Sequence, residues 1–360
     1  MSDNGKEAEK EMAKAIFISA DCWLCVFDLL SPRQLCLGIA LISHRFDYYV
    51  DEHFKTRKWT LKYFGIRSKI GENGTKAMEI VNYDVKSLPI PQNQMPRKVI
   101  GFNSISIQYI DQNVIAFLRH FCQLFTKCSI NLSIDTTSDR ISEFILRNIW
   151  PMLGKNICGI FLFSKDFHRL RQFVPSFLND CPSLYVFAIY CDKVFAEFPC
   201  DDSAMASDGQ VLSKWLFTPH PDDVPKVFMC LVLFDGGTWP SKIEAFKAAF
   251  ASASSPVNFI VVIWFSQCFA GSVMLFDLTN ELTREQLALK STVHGRRFVL
   301  VRCPIARDSN KWAKWEEEAF GWEIYAQWNR IDIRINEEDN IGDWSANVYS
   351  KIQIYFELWI

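Results

Sequence analysis

Two groups of residues in this chain have the types and spacing from which metal or redox sites are built. Cys22 and Cys25 are separated by two residues, and His220 is followed closely by Asp222 and Asp223. A Cys-x-x-Cys site needs a preceding strand or a second cysteine pair, and Cys22 has neither nearby. The acids beside His220 stand in a proline-flanked segment, where carboxylates are usually solvated. We therefore predict no metal ion and no redox chemistry at either group.

The compact motifs that identify common enzyme classes are missing from the sequence. It has no glycine-rich phosphate loop, no His-Glu-x-x-His motif and no nucleophile elbow, and its six histidines are isolated from ligand partners. A site assembled from residues far apart in the chain would escape such a search. The sequence thus favours a non-enzymatic protein without a cofactor. A hydrolase or transferase on an α/β fold is the weaker alternative.

Composition restricts the partners and the compartment. A chain of 360 residues exceeds the usual size of one core, which predicts two domains, or a small module joined to an extended repeat domain.

The net charge of -2 offers no positive field for a phosphate backbone, so we expect no nucleic acid partner. Twelve cysteines, scattered singly through apolar segments, are typical of a reducing compartment, cytoplasmic or nuclear. Residues 1–14 are rich in charge and are expected to be a disordered tail.

One apolar segment, 257–276, is long enough to cross a bilayer. Polar residues and an Ala-Gly pair interrupt it, and it is rich in β-branched and aromatic residues. Two buried strands joined by a turn fit this composition better, so we expect no membrane association.

The elements near the amino terminus are predicted to be short helices. Trp23, Val26, Phe27 and Leu30 follow the spacing of one apolar stripe on a helix. Residues 31–34, Ser-Pro-Arg-Gln, then supply an N-cap, a proline suited to the first helical position and a capping glutamine, so a second helix should begin there. Three short helices cannot bury this much apolar surface among themselves, which predicts contact with a partner or with the rest of the chain.

The segment from Ile18 to Leu61 resembles an F-box. The resemblance lies in the stripe on the first helix, Ser31-Pro32, Leu35, the Ser43 to Phe46 motif, the acidic pair Asp51-Glu52 and Trp59. The sequence has Ile18-Ser19 where the family usually has Leu-Pro. The resemblance implies a helical module over 15–66 that binds a Skp-type adaptor and through it a cullin scaffold. The positions that match the docking face are Val26, Phe27, Leu30, Pro32, Leu35 and Ile39.

Beyond a proline-punctuated linker at 67–98, strand and helix patterns alternate. Strands recur about every 27 residues, which is the period expected of leucine-rich-like α/β repeats. We predict an α/β fold over 99–360, with a mostly parallel sheet in a curved, leucine-rich-like repeat domain. A conventional doubly wound α/β domain is the alternative. The acidic segment 199–226 reads as an insertion loop, and the Trp-dense helical segment 311–328 resembles the C-terminal portion of expanded nematode F-box families.

Alternation along the first strands predicts a binding face. Ile105, Leu132 and Ile160 are among the residues expected to face the helices, which leaves their neighbours on the opposite, helix-free face. Such a face is the usual binding surface of curved repeat domains. The predicted target-binding residues are Ser104, Ser106, Gln108, Asn131, Ser133, Asp135, Phe161 and Phe163. The alternative is that helices or the 199–226 segment cover this face and bury both Phe side chains.

Together these features predict a substrate-recognition adaptor of an SCF-type cullin ubiquitin ligase. The resemblance implies that the F-box docks the Skp-type adaptor while the C-terminal domain holds an unidentified target protein. The alternative function is that of an F-box or repeat scaffold protein that acts outside a ligase.

Overall fold

A computed structural model describes residues 18–30, 35–56, 59–66, 99–125, 129–175, 177–190, 194–232, 239–265, 274–291, 297–336 and 358–359. These residues form two compact units. The first comprises the described residues within 1–61, 96–100 and 358–360, and the second those within 62–95 and 101–357. The predicted tail, 1–14, and the predicted linker, 67–98, lie outside the described residues.

The first unit is helical around a small core. Helix α1 spans Ala20–Phe27 and begins where the Ser19 hydroxyl accepts a hydrogen bond from the Cys22 backbone N–H at 3.3 Å. Ser19, the position that departs from the F-box pattern, is therefore the N-cap. A π-helical turn at Leu35–Ile39 and a 3-10 turn at Ala40–Ile42 lead into α2, His44–Thr56. Phe27, Leu35 and Val50 form the buried core.

The boundary of this unit differs from the predicted helical module. Residues 59–66 do not extend the helices but form strand β1, Trp59–Ile66. Its first residues pair antiparallel with β12, Leu358–Trp359, so that Thr60 lies opposite Trp359. Apolar and polar residues alternate from Trp59 to Tyr63, and the segment is rich in aromatic residues, which favours an extended strand.

The second unit alternates strands and helices. Its further strands are β2 (Val99–Ile107), β3 (Ile130–Thr136), β4 (Ile157–Phe163), β5 (Val186–Tyr190), β6 (Lys226–Val232), β7 (Phe259–Phe265), β8 (Phe276–Asn280), β9 (Glu285–Ser291), β10 (Arg297–Pro304) and β11 (Arg330–Ile335). The helices are α3 (Gln112–Phe125), α4 (Asp139–Asn148), α5 (Trp150–Leu153), α6 (Ser164–Phe173), α7 (Asp208–Leu216), α8 (Trp239–Ala251) and α9 (Ser309–Gly321).

These strands form one large sheet in the order β1-β2-β11-β3-β4-β5-β6-β7-β10-β9-β8. From β2 to β7, the neighbouring strands are parallel. Strands β10, β9 and β8 extend the sheet in antiparallel pairs. The prediction of an α/β fold with a large, mostly parallel sheet is confirmed. The order departs from an array of successive repeats in two places, because β11 lies between β2 and β3 and because the last three strands are antiparallel.

The segment 199–226, predicted to be an insertion loop, contains helix α7. The Ser207 hydroxyl accepts from the Gln210 backbone N–H, and the Gln210 side chain accepts from the Ser207 backbone N–H, which makes a capping box. Val211, Leu212 and Trp215 are buried. The helix connects β5 to β6, so the alternation of strands and helices continues through this segment. The prediction that an insertion loop interrupts the alternation here is wrong.

One face of the sheet packs against helices. The Phe187 ring of β5 lies 5.2 Å from Phe167 of α6 and 5.9 Å from Trp215 of α7, measured between ring centroids. Phe259 of β7 lies 5.6 Å from Phe246 of α8. The strand residues predicted to face the helices are all buried at 1% exposure or less: Ile105, Ile107, Ile130, Leu132, Ile134, Ile160 and Leu162. The alternation of the first strands was therefore read correctly.

Candidate functional site

The face of the sheet opposite helices α6 to α8 carries its side chains in three rows across the parallel strands. The amino-end row contains Ser104, Arg330, Asn131, Gly159, Val186, Val227 and Ile260. The middle row contains Ser106, Asp332, Ser133, Phe161, Ala188, Met229 and Val262. The carboxyl-end row contains Arg334, Asp135, Phe163, Tyr190, Leu231, Trp264 and Arg297. Seven of the eight predicted target-binding residues stand in these rows, and the eighth, Gln108, directly follows the end of β2.

Helix α9 and the segment that follows it cover the amino-end row. Trp312 and Ala319 of α9 are buried in one cluster with Val186, Val227 and other residues of this face. The helix ends at Gly321, where the backbone of Trp322 becomes extended, and a 3-10 turn follows at Ile324–Ala326. The sequence predicted a helical segment up to Trp328. The helix is shorter, and the remainder crosses the sheet.

Buried polar contacts hold this crossing segment in place. Arg330 Nε lies 2.8 Å from Asp332 Oδ2, and Arg330 Nη1 donates to the carbonyl oxygen of Tyr325 at 2.5 Å. The Asn131 amide donates to the carbonyl oxygen of Trp328 at 3.0 Å. Because these carbonyl oxygens are satisfied by buried donors, an irregular segment can lie over the sheet at little cost.

Four of the predicted target-binding residues are consequently inaccessible. Ser104, Ser106, Asn131 and Ser133 are buried, and the Ser104 hydroxyl lies 3.5 Å from Asp332 Oδ2. Their polarity reflects contacts within the protein and not exposure to a partner, which corrects the prediction for these four. Gln108, Asp135, Phe161 and Phe163 are half-buried. The prediction therefore identified one face correctly but not the part of it that is open.

The open part is a groove of about 620 Å³ at the carboxyl ends of β4 to β7. We call it the aromatic groove, since six of its lining residues are Phe161, Phe163, Tyr190, Trp264, Trp322 and Tyr325. Phe163 contacts both Phe161 and Tyr190 edge to face, with centroids 5.8 and 5.5 Å apart. Glu323 is the acidic side chain among the described lining residues. The carboxyl ends of parallel strands are a common location for binding sites in α/β proteins.

Gly159 permits the close approach of Trp322 to the sheet. A Cβ atom at this position would collide with the Asn131 side-chain oxygen and would lie 3.3 Å from the Trp322 ring. Trp322 also lines a second cavity, of about 440 Å³, beneath α9 at the amino ends of β5 and β6. One indole thus forms a wall of both cavities.

Cations of the protein stack on rings of the aromatic groove. The Arg297 guanidinium carbon is 3.6 Å from the centroid of Trp264 and 4.8 Å from that of Phe320. Lys165 Nζ lies 5.6 Å from the centroid of Phe163 and 2.8 Å from Asp135 Oδ1. Arg334 donates to the Tyr325 hydroxyl at 3.3 Å. The ring faces are therefore already partly engaged with positive charge.

Two basic side chains, His220 and Lys226, are buried shortly before and at the start of β6. Burial lowers the pKa of His220, whose ring lies 6.4 Å from that of Tyr185, a lining residue. Burial also lowers the pKa of Lys226 to about 8, and its ammonium group donates to the Trp215 carbonyl oxygen at 2.6 Å. His220 Nδ1 accepts from the Asp222 backbone N–H at 3.2 Å. Across the described residues, no three His, Cys, Asp or Glu side chains are grouped as metal ligands would be.

No family model matches the chain. A search of curated proteins gives no match either. In the part of the chain that the structure describes, no helix combines the length and apolar character needed to span a membrane.

The predicted adaptor-binding residues differ widely in exposure. Val26 is 42% exposed, and Leu30 and Ile39 are half-buried. Phe27 and Leu35 are completely buried in the core of the first unit, so their side chains offer no docking surface, which corrects the prediction for these two. Pro32 lies outside the described residues. Leu29, Leu41 and Ile42, which are not among the predicted docking positions, are far more exposed.

The sequence also left out four aromatic residues of the groove: Tyr190, Trp264, Trp322 and Tyr325. Continuing the alternation from β4 into β5 and β7 would have placed Tyr190 and Trp264 on the same face as Phe163. No strand alternation could have placed Trp322 and Tyr325 in the groove, because they follow helix α9 and their position depends on where that helix ends.

Proposed function

We propose that the chain is a substrate-recognition subunit of an SCF-type cullin ubiquitin ligase. In this proposal the first unit binds a Skp-type adaptor, and through it the cullin, while the second unit holds a target protein. The chain needs no catalytic residue of its own, because tethering raises the concentration of target lysines near a separate conjugating enzyme. Action in the cytoplasm or nucleus is part of the proposal.

The observation that carries the proposal is the unburied apolar surface of the first unit. Its core is built around Phe27, Leu35 and Val50, yet Leu41 is 76% exposed and its neighbour Ile42 is also largely exposed. Exposed apolar side chains next to one another in a small helical unit favour burial against a partner. This observation adds to the F-box resemblance of the same segment.

The adaptor contact can be tested by co-purification of the full chain with a Skp-type adaptor and a cullin. A Leu41→Asp, Ile42→Asp double variant should recover at least tenfold less adaptor, because truncating or charging an apolar anchor removes most of an interface's affinity. The control is Leu282→Asp, which makes the same change at a leucine that is 74% exposed in the turn between β8 and β9.

Three results would separate the functions. Loss of adaptor in the double variant alone supports the proposal. The docking assignment would be overturned if the double variant recovered as much adaptor as the wild type does. It would also be overturned if the wild-type chain recovered no adaptor. Recovery of the adaptor without the cullin would favour an F-box protein that acts outside a ligase.

A further inference from the structure

We infer that the second cavity, beneath α9, binds a quaternary ammonium group, carried either by a small molecule such as choline or by a trimethylated lysine side chain. The inference goes beyond the proposed function and does not depend on it, since neither the adaptor nor the cullin takes part. The cavity measures about 440 Å³, within the range of about 300–1,000 Å³ that small-molecule sites span.

Three aromatic rings and one carboxylate line this cavity. The rings are those of Tyr185, Trp315 and Trp322, and the carboxylate is that of Glu318. All three rings are half-buried, so each has a part that a ligand can reach, and Glu318 is exposed. The faces of Trp and Tyr rings are electron-rich, and a set of such rings around one cavity is how proteins recognise quaternary ammonium groups.

The charge of the lining also favours a cation. Burial is the main cause that raises the pKa of Tyr185, and the negative charge of Glu318 contributes to the rise. The phenol is therefore neutral near pH 7, and the Glu318 carboxylate acts on the same space. Among the described lining residues Glu318 is the ionised one, so the lining presents negative charge to a ligand and no positive charge.

Two lysines of α9 lie close to the site. Lys311 Nζ is 4.6 Å from the centroid of Trp315, which shows that this ring attracts an ammonium group. Lys314 Nζ is 3.7 Å from Glu318 Oε1. This distance is longer than a hydrogen bond and both side chains are exposed, so the pair is weak and leaves Glu318 available to a ligand cation.

The rings of the two cavities differ in the cations they already hold. In the aromatic groove, Phe163, Trp264 and Tyr325 each have a lysine or arginine of the protein stacked on them. Within the described ranges of the chain, no lysine or arginine stacks on Tyr185 or Trp322. A ligand cation would compete with the protein's own cations in the groove, but it would find two rings without a competitor in the second cavity.

A methylated ammonium suits this lining better than an unmethylated one. Apart from the rings, the lining is largely aliphatic, with Val186, Val224, Pro225, Val227 and Ala319. A primary ammonium has three N–H donors, and removing them from water without acceptors costs free energy. A quaternary nitrogen has no N–H group to leave unsatisfied, and its methyl groups add apolar contact. The cavity should therefore select the fully methylated form.

The test measures binding of small ligands to the purified full chain by ligand-observed NMR, at neutral pH and constant ionic strength. Choline is compared with its neutral isostere, in which a tert-butyl group replaces the trimethylammonium group. Because the two have the same shape, their difference in affinity reports the charge alone. Choline should bind more tightly by roughly tenfold, and ethanolamine, its unmethylated analogue, should bind more weakly than choline by a similar factor.

A second ligand distinguishes the two sources of the ammonium group. This ligand is a single trimethyllysine residue, acetylated and amidated at its ends. Tighter binding of this residue than of choline would assign the cavity to a modified protein, and weaker or equal binding would assign it to a free small molecule. Both results support the inference.

The carboxylate has a matched control on the same helix. Glu318→Gln removes the charge and keeps the size of the side chain, so it should weaken choline binding by roughly fivefold and leave binding of the neutral isostere unchanged. Glu317→Gln makes the same change at the neighbouring exposed glutamate, which lies outside the lining. This control should leave the affinity for choline within about twofold.

The aromatic contribution is tested at Tyr185. Tyr185→Leu removes a ring of the lining and should weaken choline binding by roughly tenfold. Tyr185→Phe keeps the ring and loses only the hydroxyl, so it should retain the affinity within about threefold. Equal losses in the two variants would mean that the hydroxyl, and not the ring, holds the ligand.

Three results would overturn the inference. The first is the lack of saturable binding of both choline and the trimethyllysine residue. The second is equal affinity for choline and its neutral isostere, which would assign the cavity to apolar ligands. The third is an equal loss in Glu318→Gln and Glu317→Gln, which would indicate attraction to the helix surface in general. None of these results affects recovery of the adaptor, so the ligase proposal stands or falls by its own test.

Discussion

On the face of the sheet that α9 covers, the polar side chains of the amino-end and middle rows are buried, whereas aromatic side chains of the carboxyl-end row are partly exposed. Arg330, Asn131 and Asp332 lie beneath the segment 322–328, although their types are those usually found at surfaces. Phe163, Tyr190 and Trp264 remain accessible to a ligand although their types favour burial. Residue polarity alone therefore points to the wrong end of this face as the binding surface.

The largest expected effect is that of Arg330→Met, which removes the cation of the buried pair at the covered end. The substitution leaves Asp332 buried without the guanidinium, and breaking a buried ion pair from one side costs about 3–5 kcal/mol. Unfolding by guanidinium chloride, compared between wild type and variant, should record this loss of unfolding free energy. Arg334→Met, at an exposed arginine on the same strand, should change it by less than about 0.5 kcal/mol. Equal losses would contradict the distinction between the two ends.

A smaller loss is expected for Gly159→Ala, at the point where the Trp322 ring meets the sheet. The added Cβ forces Asn131 and Trp322 to shift, and overpacking of this kind costs about 1–3 kcal/mol. Gly321→Ala is the matched control, because a Cβ there meets no atom within 4 Å. Denaturation midpoints of the two variants should differ clearly, and tolerance of both changes would show that Trp322 is not tightly held.

Acid should lower the stability of the second unit through His220. Burial lowers its pKa in the folded protein below the ordinary value of 6.5, so the unfolded chain binds a proton that the folded protein resists. Its contribution to stability is therefore present above pH 6.5 and is lost as the pH falls below that value. The unfolding free energy of the wild type should fall more between pH 7.5 and 5.5 than that of His220→Gln. Parallel pH profiles for the two proteins would argue against a buried neutral imidazole.

The smallest effect on stability is expected at the open end. Tyr325→Ala removes an exposed ring whose hydroxyl accepts a bond from Arg334, and such surface changes usually alter stability by about 0.5 kcal/mol or less. A thermal melt that is nearly unchanged would show that this exposed ring contributes little to the stability of the fold. A loss as large as that of Arg330→Met would mean that the open end also supports the fold.

Local patterns in the sequence predicted the sheet and its helix-bearing side. Ile105, Leu132 and Ile160 alternate with small or polar residues, and this alternation depends only on neighbours in the chain. The capping box at Ser207 and Gln210 was also a local signal, and the helix that follows it was missed because the acidic residues around it suggested a loop.

Long-range pairing could not be predicted in the same way. Nothing near Arg330 in the sequence indicates that β11 lies between β2 and β3, and only this placement brings Arg330 beside Asn131. The four buried polar residues were assigned to an exposed surface for the same reason. Two of them have partners about 200 residues away: Asn131 donates to the Trp328 carbonyl oxygen across 197 positions, and Ser104 lies beside Asp332 across 228.

The position of β11 also has a consequence for synthesis of the chain. Until Arg330–Ile335 has been synthesised, β2 and β3 lack the strand that lies between them in the folded sheet, so one edge of each strand is without its native partner. Unpaired edges of this kind attract other chains, and contacts such as Ser104 with Asp332, which are 228 residues apart, form late and slowly. The nascent protein should therefore depend on chaperones until its last strands emerge from the ribosome.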